Sequence, residues 1–342
     1  MKVGIINVTG YAGIELARIL FQHEEVEIVG VTGRSAAGKK LSEVYPQMWA
    51  LDLTITDELT DSVDIVISAL PHVSSAERLA PFVRQNVKAV DISGDFRLKR
   101  KGEYELWYKS EHVAPDLLQE AVYGLPELNK DEVRLANLVA NPGCYPTAAL
   151  LALAPAVAAG IIEPDIIVDA KSGVSGAGRK SQIEYNYSEV NENISAYSLD
   201  GHRHLPEISQ ELGRLDESFR SKITFLPHLV PMTRGLLASC YAPVKRSALG
   251  SDMRTAVMDV YADFYRDEPF VRIGNNPPAT KHTVGSNFCV LYPTVDVRTD
   301  RLIVISCIDN LVKGAAGQAV QNMNIMSGLS ETHGLDNLSI YP

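Results

Sequence analysis

An apolar run at residues 3–8 (VGIINV) leads into the glycine-bearing turn TGYAG and then IELARILFQHEE, where Ile14, Ala17, Leu20 and Phe21 recur at helical spacing. A second apolar run at residues 26–31 (VEIVGV) completes a strand–helix–strand unit, and such a crossover requires its two strands to lie parallel. Strand-like runs at Asp64–Ser68 and Lys88–Ile92, with a helical pattern between them, extend the alternation. The first part of the chain therefore predicts an α/β domain with a parallel sheet covered by helices on both faces. From about residue 165 the runs IIVDAKSG, KITFLPHLVP, TRGLLASCYAPV, NFCVLYPTVDV and RLIVISCIDN predict a second, α+β domain with a mixed, largely antiparallel sheet, interrupted by a helix near Asp252–Tyr265. A length of 342 residues suffices for two domains. The Ala-rich tail LVKGAAGQAVQNMNIMSGL reads as a helix able to dock on either.

Composition narrows the partners. With 42 acidic against 32 basic residues and a net charge of -10, the chain's field opposes nucleic acid. No stretch approaches the roughly 20 apolar residues of a membrane span, and the N-terminus does not read as a signal peptide, so a cytoplasmic protein is expected. Four cysteines without a CxxC pair fit neither a disulfide framework nor a zinc site.

The turn Asn7–Gly13 has the second and third glycines of a GxxGxxG dinucleotide turn, Gly10 and Gly13, but Asn7 in the first position. Gly10 lets backbone approach a pyrophosphate, Gly13 permits tight helix packing, and the helix N-terminus offers N–H groups to phosphate. The second strand ends in Thr32-Gly33-Arg34-Ser35, without the acid that usually holds a ribose hydroxyl. An Arg beside a Ser there suits a 2′-phosphate, with Lys39 and Lys40 nearby. Cys144, in ANPGCYPT, precedes a strongly helix-forming segment that runs up to Pro155; a helix N-terminus lowers a thiol pKa and favours the attacking thiolate. Cys240, Cys289 and Cys307 lie in apolar runs and read as structural. A base is available in Gly201-His202-Arg203-His204, where either His could serve; a metal is disfavoured by the intervening Arg. His72 is a second choice, and His23, His112 and His333 read as surface residues. The loop Ser172–Arg179 can form an anion nest, and Arg97 and Arg234 are candidate partners for substrate anions.

TGYAGIELARIL, ALPHVSS, DISGDFRL, YGLPELN, ANPGCYPTA, SGVSGAGR, GHRHLPEI and FLPHLVPMTRGLLA together resemble the N-acetyl-γ-glutamyl-phosphate reductases, of the aspartate-semialdehyde dehydrogenase group, over nearly the whole chain. The resemblance implies an NADP-binding Rossmann domain at 1–143 and 310–342 and a catalytic and oligomerisation domain at 144–309, in a homodimer or homotetramer. It implies Cys144 as catalytic thiol and His204 as acid/base. Thr9, Gly10, Tyr11, Ala12, Gly13, Arg34, Ser35, Ser175, Gly176 and Asn310 are implied for NADP(H), and Arg97, Ser172, His202 and Arg234 for a small acyl-phosphate substrate. No metal is implied. The one departure is Asn7. A relative reducing N-acetyl-aminoadipyl phosphate shares every motif, and a non-catalytic NADP sensor is the reading from another class.

Overall fold

The computed structural model describes residues 1–179 and 181–341, which divide into two compact units: Met1–Gly143 with Ala315–Asn337, and Cys144–Gly314 with the segment from Leu338 onward. The expected boundary shifts at both ends of the C-terminal segment. Residues 310–314 stay with the second unit because Gly314 packs against Cys144 and Asn310 bonds Ser175, and the chain after Leu338 returns there through Ser339, whose hydroxyl lies 3.0 Å from that of Ser286.

The first unit carries β1 (Lys2–Ile6), β2 (Glu27–Thr32), β3 (Ile55–Thr56), β4 (Ile65–Ser68), β5 (Lys88–Asp91), β6 (Val122–Tyr123) and β7 (Leu138–Ala140). They form one sheet in the order β3-β2-β1-β4-β5-β7-β6, every pair parallel. The helix Tyr11–Phe21 buries Gly13, Leu16, Ala17 and Leu20, the i, i+3, i+4, i+7 stripe. That stripe differs from the expected one, since Phe21 is 53% exposed and Ile14 only half-buried. The helix Gly317–Met326 packs beside it and over β5. Its polar side chains Gln318, Gln321, Asn322 and Asn324 are fully buried.

The second unit carries β8 (Asp165–Gly173), β9 (Ser195–Ala196), β10 (Lys222–Val230), β11 (Leu236–Pro243), β12 (Val271–Ile273), β13 (Cys289–Asp296) and β14 (Arg301–Ile308), in the order β12-β13-β14-β11-β8-β10-β9. Its β8–β10 and β12–β13 pairs are parallel and the rest antiparallel. The helix Cys144–Ala158 is apolar all round and almost wholly buried, as such a helix must be. It continues past Pro155, where the sequence predicts its end. A proline there frees the carbonyl of Leu151, and the Tyr265 hydroxyl takes it at 2.8 Å, while Tyr261 bonds the neighbouring Ala152 carbonyl at 2.5 Å. Among the described residues no helix is long and apolar enough to cross a membrane.

Candidate active site

In the first unit the candidate cofactor residues stand at the carboxyl ends of β1 and β2, where ligands gather in open parallel sheets. Asn7 has φ +68°, a conformation that favours glycine but that asparagine tolerates better than other side chains. Its amide donates to the Ala69 carbonyl at 2.8 Å and its Oδ1 accepts from Thr9 Oγ1 at 3.3 Å, so the departure from the glycine pattern preserves the turn. Gly13 is required by packing: a Cβ there would lie 2.2 Å from the Asn7 carbonyl oxygen. Gly10 is different, because its Cβ would meet nothing closer than Asn7 Nδ2 at 3.4 Å. The space beside it adjoins the first-turn N–H groups of Tyr11, Ala12 and Gly13, which have no partner within the helix. Arg34 and Ser35 are exposed just beyond β2, and Gly33 lets Thr9 approach, since a Cβ there would sit 2.8 Å from Thr9 Cγ2. The turn fits the pyrophosphate of a dinucleotide. Lys40 is engaged instead with Asp52, at 2.6 Å.

The other first-unit candidates are more committed. Arg97 is buried and donates from Nε to the Asn141 carbonyl and from Nη2 to the Ile92 carbonyl, both at 2.8 Å, tying together the ends of β5 and β7. His72 accepts from Gly94 N through Nδ1 at 2.8 Å. Asp95 receives the N–H groups of Val73, Ser75 and Ala76 at the start of the helix Ser75–Arg84. Below it, burial and the neighbouring Asp95 push the Asp91 carboxyl up to about 6. His23 and His112 are corrected from surface to buried. His23 Nε2 meets Asn324 Oδ1 at 2.9 Å and its ring stacks on His333, while His112 Nε2 meets the Asp95 carbonyl at 2.8 Å against the edges of Phe96 and Tyr104. Burial lowers both imidazoles.

In the second unit the helix begins at Cys144, the residue predicted to stand at its N-terminus. Gly314 lies against it: a Cβ on Gly314 would come within 2.7 Å of Cys144 Cβ. The next residue, Tyr145, is the hub of an aromatic cluster, its ring 5.9 Å from those of both His202 and His204 and 5.4 Å from Phe225. Its hydroxyl donates to the His228 carbonyl at 3.2 Å and accepts from Tyr197 at 3.1 Å. Burial raises the Tyr145 phenol, with Tyr197 and the Cys144 thiol adding to the effect, and burial pushes Tyr197 up to about 12. His204, buried, caps the helix Leu205–Leu215, and its N–H donates to His202 Nδ1 at 3.1 Å. Burial, reinforced by the Arg203 guanidinium, holds His202 down at about 4, so His202 is neutral at pH 7.

Ser172 is the next-to-last residue of β8, beside this cluster. The backbone of the following loop docks on the 232–235 turn: Gly173 N, Val174 N and Ser175 N donate to the carbonyls of Gly235, Met232 and Thr233. Gly173 must be small, because its Cβ would meet two of those carbonyls at 2.8 Å. Asn310 Nδ2 donates to Ser175 Oγ at 2.9 Å and Asn310 Oδ1 accepts from Gly235 N at 2.8 Å. The structure thus joins Ser172, Ser175, Gly176, Arg234 and Asn310 at one end of the central strands β8, β11 and β14. Tyr145, Asp309 and Gly314 escaped the sequence reading; the signals available were adjacency to Cys144 for the first and to Asn310 for the second.

Residues 2–136 match the family model described as semialdehyde dehydrogenase, NAD binding domain, and residues 144–310 that described as semialdehyde dehydrogenase, dimerisation domain. Two solved structures share the fold: aspartate semialdehyde dehydrogenase II complexed with ASA from Vibrio cholerae (TM-score 0.72, 15% identity, 96% of this chain and 98% of that one) and the Candida albicans enzyme with NADP (TM-score 0.70, 14%, 95% and 98%). Domain pairing and fold define an oxidoreductase with a nicotinamide-binding domain and a dimerisation domain. Relatives named N-acetyl-gamma-glutamyl-phosphate reductase include those of Dehalococcoides mccartyi, 53% identical over 341 residues (100% of this chain, 99% of the relative), and Heliobacterium modesticaldum, 47% over 353 residues (100% of both). The chain belongs to the semialdehyde dehydrogenase family and, within it, to the N-acetyl-γ-glutamyl-phosphate reductases.

Proposed function

We propose that this enzyme reduces N-acetyl-γ-glutamyl phosphate with NADPH, giving N-acetyl-L-glutamate 5-semialdehyde and phosphate, as a step of arginine biosynthesis. The observation that carries the chemistry is the constellation in the second unit, where the thiol-bearing helix start, the paired histidines and the Ser172–Gly176 loop converge around Tyr145. The Cys144 thiolate attacks the acyl carbon, the carbon–oxygen bond to phosphate breaks, and phosphate leaves a thioester on the enzyme. When bound, the reduced dinucleotide supplies hydride to that carbonyl carbon. His204 holds the proton that meets the carbonyl oxygen and takes it back as the carbon–sulfur bond breaks, releasing the aldehyde and restoring the thiolate. His202, neutral at pH 7, supports His204 by accepting the His204 backbone N–H at Nδ1 rather than supplying the proton. Arg34 and Ser35 read the 2′-phosphate, and Thr9 to Gly13 hold the pyrophosphate. Ser172 and Arg234 contact the acyl phosphate, and Arg97 in the first unit clamps the Asn141 carbonyl.

The reaction takes place in a homodimer or homotetramer. The sheet face bearing Ile167, Tyr241, Tyr292, Ile303 and Ile305 alternates with the buried one and stays half-exposed, an apolar patch beside the Asp169–Lys171 ion pair of the kind two copies cover. NADPH oxidation measured with N-acetyl-glutamyl, N-acetyl-aminoadipyl and aspartyl phosphates side by side tests the substrate, and preference for either of the last two overturns it. Cys144→Ser should abolish turnover while leaving NADPH binding intact; retention of more than about a tenth of turnover, a barrier change of only ~1.4 kcal/mol, rules out covalent catalysis by this thiol.

A further inference from the structure

Asp309, immediately after β14, is fully buried, and its carboxylate gathers three stretches of chain. Oδ2 accepts from Gly285 N at 2.7 Å and from Arg234 Nη1 at 3.4 Å, while Oδ1 accepts from Leu311 N at 2.8 Å and Val312 N at 3.2 Å. A buried carboxylate persists when it is paired and fully hydrogen-bonded, and Arg234, 28% exposed, brings the positive charge. The next residue grips the same turn from its backbone side, since Asn310 Oδ1 accepts from Gly235 N. Gly235 itself sits at φ +107° with Thr280 Cβ 2.9 Å from where a Cβ would be, so the backbone under Arg234 is already fixed. What remains to be fixed is the long arginine side chain, whose rotamer freedom would otherwise be lost on each binding event. We propose that Asp309 is a positioning residue for the reaction: through its ion pair it sets the direction in which the Arg234 guanidinium meets an anionic group, carboxylate or phosphate, of the acyl-phosphate substrate. The proposal rests on the reading of Arg234 as a substrate contact.

Steady-state kinetics of Asp309→Asn, Arg234→Ala and the double variant test it. Asp309→Asn keeps the shape and removes the charge; it should raise KM for the acyl phosphate about 10-fold, the scale of a lost charge-assisted contact, with KM for NADPH and kcat within about threefold of wild type. The double variant should be no worse than Arg234→Ala alone, because both remove the same contact. An Asp309→Asn variant that raises both KM values together, or that multiplies the defect of Arg234→Ala, overturns the positioning role in favour of a structural one. An Arg234→Ala variant with unchanged KM shows instead that the substrate-contact reading was at fault, and the proposal falls with it. If Asp309→Asn does not fold, Asp309→Glu, which keeps the charge but displaces it by a methylene, must still raise KM for the acyl phosphate; an unchanged value refutes the idea.

Discussion

Gly10 and Gly13 stand three residues apart in one turn, yet their surroundings are opposite, and alanine at each should separate the proposed cofactor contact from helix packing. By helix propensity alone Gly13→Ala would stabilise the protein by about 1 kcal/mol, since position 13 lies inside the helix. Sterics reverse the sign. The new methyl would fall 2.2 Å from the Asn7 carbonyl oxygen and 2.8 Å from Val8 Cα, whereas real Cβ contacts stay above 3.0 Å, so the helix must withdraw from the turn by most of an ångström. Overpacking of this kind against backbone costs about 1–3 kcal/mol, and for a unit of this size each 1 kcal/mol lowers the melting temperature by roughly 2–4 °C. Gly10→Ala has no such penalty: its backbone, φ −83° and ψ 165°, suits any residue, and the nearest atom is 3.4 Å away. Loss of a good N-cap residue and the stiffer unfolded chain each amount to about 0.5–1 kcal/mol with opposite signs, so the melting temperature should stay within roughly 2 °C. On the proposed reading the methyl occupies the space for the pyrophosphate, and losing a single charge-assisted hydrogen bond there should weaken binding about 10- to 150-fold. Thermal melts with and without NADPH, together with fluorescence titration of NADPH, read both effects. Wild-type NADPH affinity in Gly10→Ala, or an unshifted melting temperature in Gly13→Ala, refutes the division of labour.

Arg34→Ala should weaken NADPH about 10- to 150-fold and leave NADH nearly unchanged, the value of one charge-assisted contact to the 2′-phosphate; parallel loss with both cofactors in steady-state kinetics would show that Arg34 does not read it. His204→Asn should lower turnover by ~100-fold or more and His202→Asn by less, and equal small losses would move the proton-transfer role elsewhere, with His72 next to test. His202 also makes stability pH-dependent: its folded value of about 4 lies below the usual 6.5, so the unfolded chain binds the extra proton and stability falls as pH drops from about 6.5 towards 4. Between pH 8 and pH 5 this amounts to on the order of 2 kcal/mol, and denaturant titrations of His202→Gln at both pH values should show a correspondingly smaller drop.

The first unit's βαβ entry was legible because it combines an apolar run, a glycine turn and helical spacing within thirty residues, all local signals. The long strands of the second unit were legible for the same reason, each being eight or nine residues of apolar or alternating sequence. β3, β6, β9, β7 and β12, at two or three residues each, carry no periodicity and exist only because a neighbour pairs with them. Asn7 looked like a defect in the glycine pattern, and its meaning lies in a backbone angle the letters do not record. The burial of His23 and His112 follows from an asparagine 301 residues away and a carbonyl 17 residues away, partners that appear only with the fold. In the candidate site, residue types with chemistry of their own, the thiol, the paired histidines and the arginines, were readable; Tyr145, Asp309 and Gly314, which arrange them, were not, because an aromatic, an acid and a glycine are everywhere common.

The polar helix Gly317–Met326 shows how such arranging residues work within the first unit. An apolar helix could fill its place beside β5, but Asn322 donates to the Gly124 carbonyl at 2.8 Å and to Asn141 Oδ1 at 3.0 Å, and Asn141 in turn donates to the Ala315 carbonyl at 3.1 Å. Each such buried group, left unsatisfied, would cost about 1–3 kcal/mol, so the helix and the Asn141 segment specify one another's position. Gly124 is required in the same cluster, because a Cβ there would lie 2.4 Å from Val139 and 2.5 Å from Asn322. With Arg97 holding the Asn141 carbonyl and Asp91 accepting its N–H through a backbone carbonyl at 2.8 Å, Asn141 has every polar group of its backbone and side chain engaged. Only Pro142 and Gly143 separate it from Cys144. The segment that leads to the thiol is therefore anchored by hydrogen bonds of fixed geometry, which resist sliding in a way that apolar contacts do not.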